Sequence, residues 1–162
     1  MAKVLALISD FIACARSYVP RDRQHDLLYR PRPEVGTRLG KELGKLLLAL
    51  ALVRGKTHPD AEDLRTVARV AEDCLPPNRL AVLRALATAE GPVKVAQIVR
   101  AARLPWTTTK QTLEDLEVLE IVSGIGPDNS LDAEDDRGWS ISPAWQDALQ
   151  TVPLLRQVEV GE

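Results

Sequence analysis

The sequence predicts a mainly α-helical protein, with an N-terminal helical bundle followed by a second helical unit that contains a small β-hairpin. Aromatic residues make up only 4% of the 162 residues, so the core must consist of aliphatic side chains, which favours packed helices. Apolar side chains recur at three- and four-residue spacing along most of the chain, as in amphipathic helices. Near the C-terminus, two short strand-like runs flank a polar loop, which is typical of a hairpin.

The N-terminal half predicts three helices. Their apolar spacing places them at residues 3–16, 34–54 and 57–75. Between the first two lies an arginine- and proline-rich segment, residues 17–33, which we expect to be a loop or extended arm because proline disfavours helix. Gly55 is expected to end the second helix. Thr57 and Asp60 predict a capping box that opens the third.

Three glycines share one face of the second predicted helix. Gly36, Gly40 and Gly44 follow one another at four-residue spacing. Each glycine weakens a helix by about 1 kcal/mol relative to alanine, so three in register indicate the close approach of another backbone. Such spacing also dimerises membrane helices. The charged residues on this helix favour tight packing in a soluble bundle instead.

After a double proline, Pro76 and Pro77, the order of elements changes. The predicted elements are a helix at 79–90, a very short strand after 91–93, a helix at 95–102, a turn at 103–105, a helix at 107–120, strands at 121–125 and 138–142 around a polar loop at 126–136, and a helix at 143–152. This is the order of a winged helix-turn-helix. We therefore predict a helical domain at residues 1–75, a winged-helix domain at 76–152 and a tail at 153–162.

The third helix of the winged unit is the candidate DNA-reading element. Helix-turn-helix units place the second helix of the pair in the major groove of DNA. With Thr109, Leu113 and Leu116 turned inward, the outward face begins with polar side chains. Threonine and lysine suit phosphates, and glutamine can pair with an adenine edge. The predicted DNA-binding residues are Arg100, Arg103, Thr107, Thr108, Lys110 and Gln111.

Acidic residues near this helix favour a different function. Glu114 and Asp115 follow on its outward face, and the hairpin loop holds five acidic residues against one arginine, Arg137. Such carboxylates repel phosphates, whose neutralisation is the main source of non-specific affinity for DNA. The alternative is a protein-interaction or assembly module, which would associate through an apolar or glycine-lined surface or through its acidic loop.

Charge is distributed unevenly along the chain. Residues 16–56 hold ten basic and four acidic residues, whereas residues 128–162 hold eight acidic and two basic ones. A basic stretch and an acidic tail indicate a polar partner surface. An equally good interpretation is that the basic and acidic segments attract each other, or that each is a solvated face of the protein.

The cysteines and tryptophans are expected to be buried. Cys14 and Cys74 lie on apolar faces of predicted helices and have no zinc-ligand spacing, which predicts two buried thiols. Trp106 is expected to cover the edge of the core, Trp139 to pack on the third winged helix and Trp145 to close the far end.

No enzyme motif is visible. The chain has no GxxxxGK[ST], GxSxG or HExxH pattern, and His25 and His58 are isolated, so we predict a non-enzyme without metal or cofactor. The longest apolar run, residues 46–53, is much shorter than the roughly 20 residues that span a bilayer. The N-terminus also lacks the features of a signal peptide. We therefore expect a cytoplasmic protein without a membrane partner.

Several segments resemble known families. One resemblance is to the helical lid of AAA-type ATPases of the MCM and MoxR kind. It is found in residues 32–43 (RPEVGTRLGKEL) and 50–57 (LALVRGKT). Residues 70–77 (VAEDCLPP) resemble the join between such a lid and a C-terminal winged helix in bacterial ATPases. Residues 104–109 (LPWTTT) and 113–117 (LEDLE) resemble the recognition helix of bacterial winged-helix regulators.

The resemblance implies a bacterial transcriptional regulator or the C-terminal part of a DNA-associated ATPase. In the lid of these ATPases an arginine contacts the nucleotide phosphates, and Arg38 is the matching residue. This chain departs from the family because it holds no phosphate-loop motif. Arg38 would therefore sense nucleotide only on a separate ATPase or within a larger protein. The expected partners are double-stranded DNA, an ATPase or other protein, and a second copy of the chain.

Overall fold

A computed structural model describes residues 1–24, 26–126, 137–152 and 155. The described part is mainly helical, as the sequence predicted. It includes a small three-stranded antiparallel sheet, in which the short first strand pairs with the predicted hairpin. Its elements are α1 (Ala2–Ala15), α2 (Thr37–Val53), α3 (Ala61–Glu72), α4 (Pro77–Ala87), β1 (Val93–Lys94), α5 (Val95–Ala102), α6 (Trp106–Val118), β2 (Val122–Ile125), β3 (Gly138–Ile141) and α7 (Pro143–Thr151). None of the described helices is both long and apolar enough to cross a membrane.

The glycine face of α2 packs against α1. A Cβ atom on Gly36 would lie 2.7 Å from the backbone of Ser9, and one on Gly40 would lie 3.1 Å from the Ser9 hydroxyl. Farther along α2, Gly44 faces Leu5. The prediction of tight helix packing at this face is therefore confirmed, and the glycines are not available for self-association.

The start of α3 differs from the prediction. Asp60, not Thr57, is the N-cap, because its carboxylate accepts the backbone N–H groups of Glu62 and Asp63. The Asp63 carboxylate accepts the Asp60 N–H in return, which completes the capping box. Thr57 lies before the helix and its hydroxyl contacts the ring of His58 at 3.1 Å. The capping box thus consists of the Asp60 and Asp63 carboxylates, and it lies about one turn later in the chain than the sequence predicted.

The sheet lies beside the helices of the C-terminal half. Strand β3 is central, with β1 and β2 antiparallel on its two sides. Val93 and Gly124 both pair with Trp139, which is buried as expected. The hairpin loop at residues 127–136, His25 and nearly all of the predicted tail lie outside the described residues.

Helix α1 joins the two halves of the chain. Phe11 meets Trp145 of α7 edge to face, with ring centroids 5.3 Å apart and planes at 72°. The Cys14 thiol donates a hydrogen bond to the carbonyl oxygen of Leu119, just after α6, at 3.4 Å. Buried side chains from residues 8 to 155 accordingly form one continuous hydrophobic core.

Val53, Cys74 and Trp106 are exposed, and for two of them, Cys74 and Trp106, the prediction of burial was wrong. Val53 is 87% exposed, because the buried face of α2 repeats every four residues and ends with Ala51, two residues and about 200° away from Val53. Cys74 is exposed because α3 ends at Glu72, before this residue. Trp106 is 39% exposed, since it occupies the first position of α6 instead of covering the core.

Candidate nucleic-acid interface

Helices α5 and α6 follow one another across a short turn at residues 103–105. Val95 and Ile98 bury the inner face of α5. Arg103 ends α5 in the left-handed conformation, with φ at 54°, which turns the chain toward α6. Helix α6 then buries a row of side chains against the core, namely Thr109, Thr112, Leu113 and Leu116. The two helices pack directly on each other and on α4.

Most of the predicted DNA-binding residues lie exposed around this turn. Arg100 on α5, Arg103 in the turn, and Thr107 and Gln111 on α6 are exposed. Thr107 and Gln111 are four residues apart, so they lie on the same face of α6.

Two of the predicted DNA-binding residues are less accessible. Thr108 and Lys110 are half-buried. Thr108 precedes the buried Thr112 by one turn, and the Thr112 hydroxyl donates to the Thr108 carbonyl oxygen at 2.7 Å. Four of the six predicted residues are thus exposed and two are partly covered.

The acidic residues in the middle of α6 are paired with arginines from other elements. Arg21, in the segment between α1 and α2, lies 2.8 Å from the Asp115 carboxylate and 3.2 Å from that of Glu114. Arg79 of α4 approaches the second Asp115 oxygen at 3.3 Å. The side chains of Arg21 and Asp115 are only 14% and 18% exposed, so solvent screens this pair less than a surface ion pair.

The remaining carboxylates near the end of α6 are paired as well. Arg137, which precedes β3, lies 2.9 Å from the Glu117 carboxylate and stacks over the Trp139 ring, 5.0 Å from its centroid. Arg30 forms an ion pair with Glu120, immediately after α6. All four carboxylates of residues 106–120 therefore have an arginine partner. By contrast, Arg100 and Arg103 form no ion pair among the described residues.

Arg38, the predicted nucleotide sensor, lies elsewhere. It is exposed on the first turn of α2, which packs against α1 and α3. It forms no hydrogen bond or ion pair within the part of the chain that the structure describes. The site residues of α5 and α6 are thus brought together without Arg38.

Sequence reasoning missed the pairing of the α6 carboxylates. Arg21 and Asp115 are 94 positions apart in the chain, and no local spacing relates them. The available signal was the excess of arginine in the segment before α2, which matches the excess of acidic residues in α6.

Comparisons of the chain with protein-family models, with curated proteins and with solved structures gave no match.

Proposed function

We propose that residues 76–152 form a winged helix-turn-helix that binds duplex DNA through the N-terminal half of α6. The order of elements supports this fold: helix, short strand, helix, turn, helix and two antiparallel strands. The sheet order β1-β3-β2 supports it too, because the hairpin then lies beside the first strand. In such a unit the exposed start of the second helix of the pair faces the major groove.

The balance of paired and unpaired charges carries the proposal. Pairing with arginines reduces the negative potential that the α6 carboxylates would present to phosphates. Arg100 and Arg103 stay exposed and without an ion-pair partner among the described residues, as contacts to the DNA backbone require. Thr107 and Gln111 on the same side of the turn supply polar groups for phosphate and base edges.

The biological setting that fits this activity is transcriptional regulation or a DNA-associated ATPase in a bacterial cytoplasm. In the second setting, Arg38 would face the nucleotide of an ATPase partner or of a larger protein. This role is independent of DNA binding, since Arg38 lies on α2 and the proposed DNA contacts lie on α5 and α6.

Fluorescence anisotropy of a labelled random-sequence duplex tests DNA binding. We expect binding at about 50 mM salt that weakens steeply toward about 200 mM, the range over which phosphate contacts lose affinity. In Arg100→Ala/Arg103→Asn, the slope of log affinity against log salt should fall by about 2, roughly one per lost phosphate contact. Asparagine is chosen because it tolerates the left-handed conformation at position 103.

The matched control is Arg65→Ala/Arg69→Ala. Both arginines are exposed on α3 and form no ion pair among the described residues, so this variant removes the same charge from another surface. It should keep wild-type affinity and slope. Absence of wild-type binding at low salt, or equal losses in the two variants, would contradict the proposal.

An exposed apolar strip on α2 favours a second function, protein interaction. Leu48, Leu52 and Val53 are 59%, 74% and 87% exposed. Burying such side chains against a partner would contribute about 1.5 to 3 kcal/mol each.

If the strip mediates self-association, sedimentation velocity should detect a dimer in the wild type that Leu48→Gln/Leu52→Gln abolishes. A wild-type protein that stays monomeric at high concentration would exclude self-association through this strip.

A further inference from the structure

We infer that Arg21 is a functional part of the DNA interface, because it neutralises Glu114 beside the bases and phosphates that α6 would contact. This inference rests on the proposed DNA binding. It assigns a role to the segment between α1 and α2, residues 16–36, which we call the arm. Arg21 acts through Glu114, so it is a positioning residue and not itself the principal phosphate contact.

Glu114 occupies the face of α6 that would meet DNA. It follows Gln111 by three residues and Thr107 by seven, which places all three on one side of the helix. At a rise of 1.5 Å per residue, Glu114 lies about 4.5 Å beyond Gln111 along the axis. An uncompensated carboxylate at that distance would repel a phosphate bound near Gln111, since the separation is shorter than the Debye length of about 10 Å at 0.1 M salt.

Arg21 is the cation that compensates Glu114. Its Nη2 atom lies 3.2 Å from the Glu114 carboxylate. Arg79, the other arginine at this position, contacts Asp115 and uses its second nitrogen for the carbonyl oxygens of Ala15 and Ser17. No other arginine among the described residues forms an ion pair with Glu114.

The arm holds Arg21 in place before any ligand arrives. Arg21 and Leu27 form an isolated antiparallel β-bridge, which holds these two residues of the arm side by side. The Asp22 carboxylate accepts the backbone N–H groups of Gln24 and Asp26 at 2.8 and 2.9 Å. Arg21 itself has a side chain that is only 14% exposed. Its guanidinium is therefore pre-positioned against α6.

A double-mutant comparison separates this electrostatic role from a structural one. Arg21→Met keeps much of the packed side-chain stem and removes the charge. At about 50 mM salt it should weaken duplex binding by roughly tenfold, comparable with the loss of one phosphate contact, and by less at about 200 mM. Arg21→Met/Glu114→Gln should return to within about threefold of wild type, because the unpaired carboxylate is gone. Arg21→Lys should stay near wild type.

The outcomes distinguish the inference from the function on which it rests. If the wild type binds no DNA, the proposed function fails and the inference with it. If the wild type and Arg21→Met bind DNA equally well, only the inference about Arg21 fails. The inference also fails if the double variant binds as weakly as Arg21→Met, because that result indicates a structural role for Arg21. Thermal unfolding of each variant verifies folding. If Arg21→Met does not fold, Arg21→Gln replaces it, since glutamine can still donate a hydrogen bond to Asp115.

Discussion

Gly36 lies so close to Asp10 that a Cβ atom on the glycine would come within 2.7 Å of the aspartate's backbone nitrogen. Backbone atoms cannot yield as a flexible side chain can, so this position at the start of α2 admits only glycine without movement of α1. Gly44, two turns farther along α2, differs. A Cβ there would meet Leu5 Cδ2 at 3.5 Å, which is an ordinary contact.

The two glycines should therefore respond oppositely to the same substitution. Gly36→Ala should lower the free energy of unfolding by about 1 to 3 kcal/mol, the usual cost of overpacking. Gly44→Ala should leave it unchanged or raise it by up to about 1 kcal/mol, because alanine favours helix. Urea denaturation of both variants measures the difference. Equal effects would mean that α1 and α2 do not pack in the way described.

Removing the buried Arg79 side chain should destabilise the fold. Arg79 donates to the carbonyl oxygens of Ala15 and Ser17 at 2.9 and 2.7 Å and pairs with Asp115. Arg79→Met leaves these groups without their partner and should lower the free energy of unfolding by about 2 to 4 kcal/mol. Arg65→Met, at an exposed site on α3, should change it by less than about 0.5 kcal/mol. A similar small effect at both positions would contradict the role given to Arg79.

The two cysteines should differ in reactivity. Burial raises the pKa of the Cys14 thiol to about 11, whereas Cys74 is exposed. Because the thiolate is the reactive form, a thiol reagent at pH 8 should label Cys74 rapidly in the native protein and Cys14 only after unfolding. Cys74→Ser should abolish the rapid phase. Rapid labelling of Cys14 would show that α1 is not packed against the end of α6.

The charge on Asp60 should stabilise the protein in a defined pH range. The hydrogen bond from Lys56 and those from backbone N–H groups lower the pKa of Asp60 from 3.8 to about 2. The ionised carboxylate therefore favours the folded state, and this stabilisation is complete above pH 4 and is lost as the pH falls toward 2. Asp60→Asn should lower the thermal midpoint at pH 7, with a deficit that disappears near pH 2.

Asp73→Asn is the control for this experiment, since it removes a carboxylate from the other end of α3. A negative charge there opposes the helix dipole, so the variant should not be less stable than wild type at pH 7. A deficit for Asp60→Asn that persists unchanged at pH 2 would exclude the charge as its cause.

Local patterns predicted the secondary structure, but they could not predict contacts between distant segments. The three- and four-residue spacing located α1 to α7, and the spacing of Gly36, Gly40 and Gly44 indicated the packing of α2. The Asp60 cap was misplaced because Thr57 and Asp60 have the same three-residue spacing as Asp60 and Asp63.

The candidate interface was only partly predictable for the same reason. The exposure of Arg100 and Gln111 followed from the helical period. The partners of Glu114 and Asp115 did not, since Arg21 and Arg79 reach them only through tertiary packing. From sequence, these two carboxylates counted against DNA binding, whereas the structure pairs both with arginine.

Amide correlation spectra of the nitrogen-labelled protein, titrated with an unlabelled random-sequence duplex, identify the DNA-binding surface residue by residue. DNA binding through the α5–α6 turn predicts that the largest shifts fall on Arg100, Arg103, Thr107 and Gln111, and that they diminish as salt is raised. No shifts at low salt, or shifts centred on Leu48 and Leu52 of α2, would exclude DNA binding through the α5–α6 turn.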